Sequence, residues 1–291
     1  MLDQKLTTFL AVVKTGSYTA AAKLLHMTQP AVTQHIQKLE EHYGCRLFAQ
    51  EGRAMRLTDD GKFFLHYTKM QQSNERQLLE KLGGNQRPLF IGSTLSIADY
   101  YLPPLLFSFL EKNNEGLNIT VANTKILLER LLQGKLDAAF IEGIFDRKFF
   151  EAEVFCIANF IPVVSKTHPL LGKKIDLSEL YAFPLILRES GSGTRAIFES
   201  YLAQQNDSIS SFGSKWEVSS FVLIKHLLEN TNAISFMYEA VAEKEIKMEK
   251  LGVLDIENYQ VSHPLQFVYL KNNLDQVKIK SFYNECIGQK K

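Results

Sequence analysis

Small hydroxyl, amide and glycine residues recur in this sequence where a short apolar run gives way to a helical pattern. The three segments are Ser93-Thr94-Leu95-Ser96, Asn123-Thr124 and Ser190-Gly191-Ser192-Gly193-Thr194. Exposed backbone N–H groups and the helix dipole at such junctions favour an anion or a carboxylate, and glycine allows a close approach of the backbone. We therefore predict a ligand site that consists of Ser93, Thr94, Ser96, Asn123, Thr124, Glu142, Ser192, Gly193 and Thr194.

Each of these segments also suits an ordinary helix N-cap, which needs the same residue types. Glu142 and Arg195 lie beside the segments and fit ligand contacts and structural charges equally well. The occurrence of three such junctions favours a ligand site, because open α/β folds bind ligands beyond the carboxyl ends of their strands. The sequence therefore predicts a small anion or a carboxylate as the ligand.

A second set of polar side chains belongs to a helix that is predicted to follow Thr28 and to end at Gly44. Thr28 is a suitable N-cap, and Pro30 in the first turn loses no hydrogen bond there. One side of the helix is an apolar stripe made of Val32, Ile36, Leu39 and Tyr43. The opposite side consists of Pro30, Thr33, Gln34, Gln37, Lys38 and Glu41.

An Ala-rich helix with Ser17 as its N-cap precedes this one, and the pair forms a helix-turn-helix pattern. Such a motif places its second helix in the major groove of DNA. Gln29 can bond an adenine through two hydrogen bonds, while Thr33 and Gln34 can reach base edges or thymine methyl groups. The polar side of the helix is therefore a candidate surface for reading DNA sequence.

Phosphate contacts would fix the register of this helix without reading sequence. Lys38 and Thr28 are placed to make them, and Arg53, in a predicted turn between two short strands of a wing, is placed to enter a narrow minor groove. The alternative is a small helical domain with a solvated polar face, and the acidic Glu41 on that face favours this alternative.

Composition and the remaining motifs narrow the class of protein. The 291 residues carry a formal net charge of +1, so affinity for nucleic acid must come from a local surface. Neither a secretory signal nor the roughly 20 apolar residues of a membrane span is found, which predicts a cytoplasmic protein without a membrane partner. The three cysteines are far apart and odd in number, which suits a reducing compartment.

Catalytic and cofactor motifs are missing from the sequence. The seven histidines form no metal-spaced pair with each other or with cysteine, and no phosphate loop is found. The Ser-Gly-Ser-Gly-Thr segment does not match the usual nucleophile elbow, so a hydrolase built on Ser192 has no supporting motif. Cys156 fits a buried thiol better than a redox sensor. We predict neither a metal nor a cofactor, and no enzymatic activity.

The pattern of elements changes at Pro88. Before it, a long helix is predicted from Thr58 to about Leu82, and the Gly83-Gly84-Asn85 segment breaks it. After it, short apolar strands alternate with helices, one of them predicted from Ser96 to Asn113. This order implies βαβ units and a parallel sheet.

The first sixty residues resemble the amino-terminal domain of LysR-type transcriptional regulators. The stretch that carries the likeness is GSYTAAAKLLHMTQPAVTQHIQKLEEHYGCRLFAQEGRAMRLTDDG. The matching residues are Phe9, Gly16, Ser17, Ala20, Ala21, Ala22, Leu24, Gln29, Pro30, Ala31, Val32, Ile36, Leu39, Glu40, Gly44, Leu47, Phe48, Arg53, Leu57, Thr58 and Gly61. Two later stretches, NTKILLERLLQGKLDAAFIEG and LILRESGSGTR, resemble the effector domain of the same family, in particular its branch for sulfur assimilation and carbon fixation.

The resemblance implies a winged helix-turn-helix in residues 1–58, a linker and dimerisation helix with a hinge in residues 59–87, and an effector-binding domain in residues 88–291. That domain would have two α/β lobes, like those of periplasmic binding proteins, the first of about residues 88–162 and 265–291 and the second of about residues 163–264. The fold class is thus α plus α/β. The predicted DNA-contacting residues are Thr28, Gln29, Pro30, Thr33, Gln34, Lys38 and Arg53.

The partners implied are double-stranded DNA with a pseudo-palindromic operator, a small-molecule effector, and further copies of the chain in a homodimer or homotetramer. RNA polymerase is a further candidate partner. One position departs from the family pattern, because Gln50 stands where the family usually has arginine, which puts a phosphate or wing-stabilising contact in doubt. A transport-type solute-binding protein is the main rival, but it would carry a secretory signal and lack the helix-turn-helix.

Overall fold

The computed structural model describes residues 3–51, 54–82, 87–111, 116–271 and 273–288. The chain divides into two compact units. The first consists of residues 1–87 with residues 132–135, and the second of residues 88–131 and 136–291.

The first unit is a small helical domain with a two-stranded wing and a long final helix. Its elements are α1 (Gln4–Thr15), α2 (Tyr18–Leu24), α3 (Gln29–Tyr43), β1 (Phe48–Glu51), β2 (Ala54–Leu57) and α4 (Asp59–Leu82). The predicted caps are confirmed: the Ser17 hydroxyl accepts from the Ala20 N–H, and Gly16 and Gly44 end α1 and α3 in the left-handed conformation. The predicted wing is also confirmed, since β1 and β2 pair antiparallel.

The core of this unit joins the three short helices to the first turns of α4. Phe9 of α1 and Phe64 of α4 are buried and meet edge to face, with ring centroids 4.9 Å apart. The stripe predicted on α3 is buried at Val32, Ile36 and Leu39. The last residue of that stripe was placed wrongly, because Tyr43 is 45% exposed.

The second unit contains the remaining strands and helices. Its strands are β3 (Leu89–Ser93), β4 (Leu117–Val121), β5 (Ala138–Ile141), β6 (Phe150–Ser165), β7 (Lys174–Ile175), β8 (Leu185–Leu187), β9 (Lys215–Glu217), β10 (Ile234–Tyr238), β11 (Leu251–Val253), β12 (Asp255–Ile256) and β13 (Val261–Leu270). Its helices are α5 (Leu95–Tyr100), α6 (Leu102–Leu110), α7 (Thr124–Leu132), α8 (Gly193–Gln204), α9 (Phe221–Asn230), α10 (Glu239–Lys247) and α11 (Gln276–Ile287).

The sheet of this unit contains the predicted parallel strands and, in addition, two long antiparallel strands. Its strand order is β4-β3-β5-β13-β6-β10-β8-β9, with β11 also paired to β6. The outer strands on each side pair parallel, as the βαβ pattern predicted, whereas β6 and β13 pair antiparallel with each other and with their neighbours. These two long strands join the two groups of parallel strands, which form two lobes.

The helix predicted from Ser96 to Asn113 is divided in two. The helix α5 ends at Tyr100, and α6 begins at Leu102 with prolines in its first turn. A proline has no N–H to donate and restricts the residue before it, so a continuous helix cannot pass through this position.

Candidate functional site

The polar face of α3 is the candidate surface for binding DNA. Gln29, Pro30, Gln34 and Lys38 are exposed, and Thr33 is half-buried. This face lies opposite the buried stripe, so its side chains are free of the core. The geometry agrees with the predicted placement of these residues, and their role in binding DNA stays a prediction.

Local hydrogen bonds hold the first turns of α3 in place. The Thr28 hydroxyl caps the helix by accepting from the Ala31 N–H at 3.4 Å. The Gln29 side-chain amide donates to the Thr33 hydroxyl at 3.2 Å, and that hydroxyl donates to the Gln29 carbonyl at 3.1 Å. Thr28 therefore has a capping role that requires no phosphate contact. The Gln29 amide lies on the exposed surface of the helix and bonds Thr33 there.

Glu40 attaches the wing to α3, a role that the sequence analysis did not find. One carboxylate oxygen accepts from the N–H groups of Leu47 (2.7 Å) and Phe48 (3.4 Å), and the other accepts from the Arg46 guanidinium at 3.0 Å. The predicted minor-groove residue Arg53 lies outside the described residues. Gln50 is exposed on β1.

The predicted ligand residues meet around Glu142, which directly follows β5. The Ser96 hydroxyl donates to one Glu142 carboxylate oxygen at 2.8 Å, and the Thr94 hydroxyl donates to the other. The Thr124 hydroxyl donates to the Glu142 backbone carbonyl at 2.8 Å. Three segments that are far apart in sequence are therefore joined at one residue.

The start of α8, which belongs to the other lobe, packs against Glu142 and Thr124. A Cβ atom added to Gly193 would lie inside contact distance of the Glu142 carbonyl oxygen and 2.7 Å from the Thr124 hydroxyl oxygen. Only glycine permits this approach. The segment after β8 thus packs directly on the segments after β4 and β5.

The hydroxyl of Ser192, the N-cap residue of α8, does not cap that helix. Among the described residues it makes no cap hydrogen bond, and it is paired instead with the Thr194 hydroxyl at 2.8 Å. The first N–H groups of α8 are therefore not covered by a capping side chain, and they carry the positive end of a 12-residue helix.

Two of the predicted residues, and the neighbouring Arg195, have local structural roles. The Asn123 side chain accepts from the Ile126 N–H and so caps α7 (3.1 Å). The Ser93 hydroxyl donates to the Thr94 carbonyl at 3.1 Å. The guanidinium of Arg195 pairs with Glu199 (2.8 Å) and Glu217 (2.7 Å). The last pairings favour the structural alternative for Arg195.

Burial dominates the electrostatics of Glu142, whose exposed fraction is 1%. Burial raises the pKa of this carboxyl, and the hydroxyls of Thr94 and Ser96 and the charge of Arg188 oppose the shift. Arg188 itself bonds Glu189 through two nitrogens, at 2.9 and 3.1 Å. The site therefore holds a carboxyl that is costly to ionise, and among the described residues its side-chain hydrogen-bond partners are hydroxyl groups.

Two tyrosines beside Glu142 were missed by the sequence analysis. Burial raises the pKa of Tyr238 well above its usual range, with further contributions from Glu142 and Tyr101. Burial likewise raises the pKa of Tyr101 above its usual range, with Cys156 and Glu142 adding to the effect. No spacing in the sequence links these residues, because they come from different strands and helices.

The described residues contain neither a metal-binding cluster nor a helix that could span a membrane. No group of three or more His, Cys, Asp or Glu side chains in this part of the chain is arranged to hold a metal ion. None of its helices combines the length and the apolar character that crossing a membrane requires.

Two family models match the chain. Residues 4–62 match the model described as a bacterial regulatory helix-turn-helix protein of the lysR family, and residues 82–290 match the LysR substrate binding domain. The second match alone covers more than half of the chain.

Known proteins resemble the chain along its whole length. A probable RuBisCO transcriptional regulator of Phaeodactylum tricornutum is 27% identical over 96% of this chain and 93% of its own. Full-length LysG of Corynebacterium glutamicum, solved with bound effector Arg, superposes with a TM-score of 0.68 at 15% identity and covers 99% of both chains. The regulatory domain of CcmR from Synechocystis, solved with 2-PG, has a TM-score of 0.62 at 21% identity and covers 70% of this chain and 97% of its own.

Proposed function

The chain belongs to the LysR family of DNA-binding transcriptional regulators, which are not enzymes, and from this premise we propose how it binds DNA and its effector. The α3 helix enters the major groove, and Gln29, Pro30, Thr33 and Gln34 contact bases. Lys38 and Arg53 contact the phosphate backbone and the minor groove. The observation that supports this arrangement is the exposed polar face of α3, which lies opposite the buried side chains of Val32, Ile36 and Leu39.

Gln29 is the residue on which the reading of sequence depends most in this proposal. It is exposed at the start of α3, where recognition helices meet base edges. An amide that bonds adenine bidentately contributes about 1–3 kcal/mol of discrimination. We therefore expect Gln29→Ala to lower the preference for the operator over unrelated DNA by about 5- to 150-fold.

The measurement is a fluorescence binding assay on the DNA that flanks the chain's own gene, at two salt concentrations and with excess competitor DNA. Gln37→Ala is the matched control, because it removes the same amide from an exposed position two turns further along α3. Equal weakening of Gln29→Ala on every DNA sequence would show that Gln29 does not read bases.

The effector is proposed to be a small molecule with an anionic group, bound at the start of α8. The supporting observation is that the first N–H groups of this helix are not capped by Ser192 and lie against the segment that holds Thr124 and Glu142. Helix N-termini of this kind bind carboxylates and phosphates. LysG and CcmR, whose folds resemble this one, both bind small molecules in their solved structures.

The proposed response to the effector is a change in the closure of the two lobes. The lobes are joined by the strands β6 and β13 and meet where Gly193 packs on Glu142. An effector shifts such an equilibrium when it binds the two arrangements with different affinity. The change would alter how the DNA-binding units of an oligomer are spaced, and thereby transcription.

The oligomer is proposed to form through α4. This helix carries a row of exposed apolar side chains, which are Phe63, Tyr67, Leu78, Leu79 and Leu82. Exposed apolar surface of this extent marks an interaction site, and a second copy of α4 would cover it. A homodimer or homotetramer on a pseudo-palindromic operator follows from this pairing, and RNA polymerase is the proposed further partner.

A further inference from the structure

We propose that the effector carries an ammonium group as well as an anionic group, as a free α-amino acid does, and that Glu142 binds the ammonium. The inference rests on the proposed function, since it concerns the ligand of the same site. It identifies the chemical class of that ligand.

The first argument is the charge of the site itself. The Glu142 carboxylate accepts one hydroxyl hydrogen bond on each oxygen, from Thr94 and Ser96. A carboxylate offers about four lone-pair positions, so each oxygen can accept one more donor. Burial already makes ionisation of this carboxyl costly, and a simple anion beside it would raise that cost further, whereas an ammonium would lower it.

The second argument is that the two arginines of this region, Arg188 and Arg195, are already paired with carboxylates. Arg188 is the cation that acts on Glu142, but Glu189 holds its guanidinium through two hydrogen bonds. The other face of the guanidinium lies over the Phe221 ring, with 4.5 Å between the guanidinium carbon and the ring centroid. Arg195 is likewise held by its own two carboxylate partners. A cationic group on the ligand is thus the natural partner for Glu142.

The third argument is the hydroxyl of Tyr238. The side chain is completely buried, and among the described residues its hydroxyl has no hydrogen-bond partner. The Tyr238 ring meets the Tyr101 ring edge to face, with centroids 6.3 Å apart, and, besides burial, the charge of Glu142 contributes to the raised pKa of the Tyr238 hydroxyl. A buried polar group without a partner is costly. An ammonium has three N–H donors and can serve the carboxylate and this hydroxyl together.

The fourth argument is the short separation of the two recognition positions. The uncapped start of α8 packs on the backbone of Glu142 through Gly193, and the side chain of Glu142 begins at the same residue. A ligand that places a carboxylate at the helix start and an ammonium at the Glu142 side chain is therefore small, because both positions belong to segments in direct contact. An α-amino acid has this arrangement of charges.

The test compares amino acids with their 2-hydroxy acids on the full-length protein. Each pair has the same shape and the same carboxylate, and differs in an ammonium or a hydroxyl. The probes are L-alanine with L-lactate, L-serine with L-glycerate, and the other L-amino acids with their hydroxy analogues. Thermal shift finds the ligands, and calorimetry measures their affinity.

We expect at least one amino acid to raise the Tm and to bind at least tenfold more tightly than its hydroxy acid. Glu142→Gln, which keeps the shape and removes the charge, should weaken that amino acid at least tenfold. Glu151→Gln is the matched control, because it removes the same charge from an exposed position on β6, and it should leave the affinity unchanged. The comparison on the unmodified protein stands even where the Glu142 variant fails to fold.

Three results would overturn the inference. Equal or tighter binding of a hydroxy acid would show a simple anion site, which refutes the ammonium and leaves the proposed function intact. Tighter binding of an anion to Glu142→Gln would show that Glu142 only repels the ligand. A wild-type protein that responds to neither series would refute the α-amino acid, and a response of the same protein to a phosphate ester or another carboxylate would leave the proposed anionic effector intact.

Discussion

The contact between Gly193 and Glu142 gives the sharpest test of the ligand site. In Gly193→Ala the new Cβ would lie inside contact distance of the Glu142 carbonyl oxygen, 2.8 Å from the carbonyl carbon and 2.7 Å from the Thr124 hydroxyl oxygen. Real Cβ atoms essentially never approach within 3.0 Å of such atoms. The obstacle is backbone, so the two lobes must move apart at this point.

The magnitude follows from the size of this overlap. Adding one methyl group to a packed interior costs about 1–3 kcal/mol. A change of 1 kcal/mol shifts the Tm of a domain of this length by about 2–4 °C, so the Tm of the effector-binding unit should fall by about 2–12 °C. The displaced α8 segment should also lose its response to an effector, while DNA binding is retained.

Thermal unfolding and DNA binding measured on the same preparation check both expectations. Gly213→Ala is the matched control, because its added Cβ would meet one atom within 4 Å, the Tyr181 carbonyl oxygen at 3.9 Å. Neither glycine has a positive φ, so the two variants differ in packing alone. The control should change the free energy of unfolding by at most about 0.5 kcal/mol.

The reasoning fails if Gly193→Ala is as stable as Gly213→Ala and keeps its effector response. That result would mean that the α8 segment does not pack on Glu142 in solution. Loss of DNA binding together with the effector response would show that Gly193 is needed for the stability of the whole fold and has no specific role in the ligand site.

Two further predictions concern Glu40 and Glu142. Glu40→Ala leaves the N–H groups of Leu47 and Phe48 without their acceptor, so we expect the free energy of unfolding of the DNA-binding unit to fall by about 1–3 kcal/mol. Glu41→Ala, at an exposed position, serves as control. Equal stability of the two variants would show that Glu40 does not attach the wing. Because burial raises the pKa of Glu142 above 4.5, the folded chain holds this proton more tightly than the unfolded chain. The protonated Glu142 carboxyl therefore stabilises the folded chain fully below pH 4.5, and this stabilisation is lost as the pH rises through the raised pKa. We expect the Tm of Glu142→Gln to depend less on pH than the Tm of the unmodified protein. Identical Tm profiles for the two proteins would contradict the assignment.

The local features of the DNA-binding unit were determined by the sequence itself. Gly16, Ser17, Thr28 and Gly44 bound α1, α2 and α3 as predicted, because a cap depends on residues three or four positions away. The buried stripe of α3 followed from helical periodicity for the same reason. Tyr43 departed from the stripe, since exposure at a helix end depends on what packs against it.

The sheet of the effector-binding unit was decided by the tertiary structure. Alternating strands and helices predicted its parallel pairs, but β6 and β13 pair antiparallel although about a hundred residues separate them. Periodicity describes one strand at a time and carries no information about a distant partner. The prolines that follow Tyr101 indicate a break in the helix, and the prediction of one long helix did not take them into account.

The candidate ligand site depends on both the local sequence and the tertiary structure. Residue types at three strand ends indicated Thr94, Thr124 and Thr194 from the sequence, because the N-termini of helices have the same chemistry wherever they occur. The convergence of Thr94 and Thr124 on Glu142 came only from packing. Burial and the pairing of charges are properties of the folded chain, since they depend on which distant segments exclude water together.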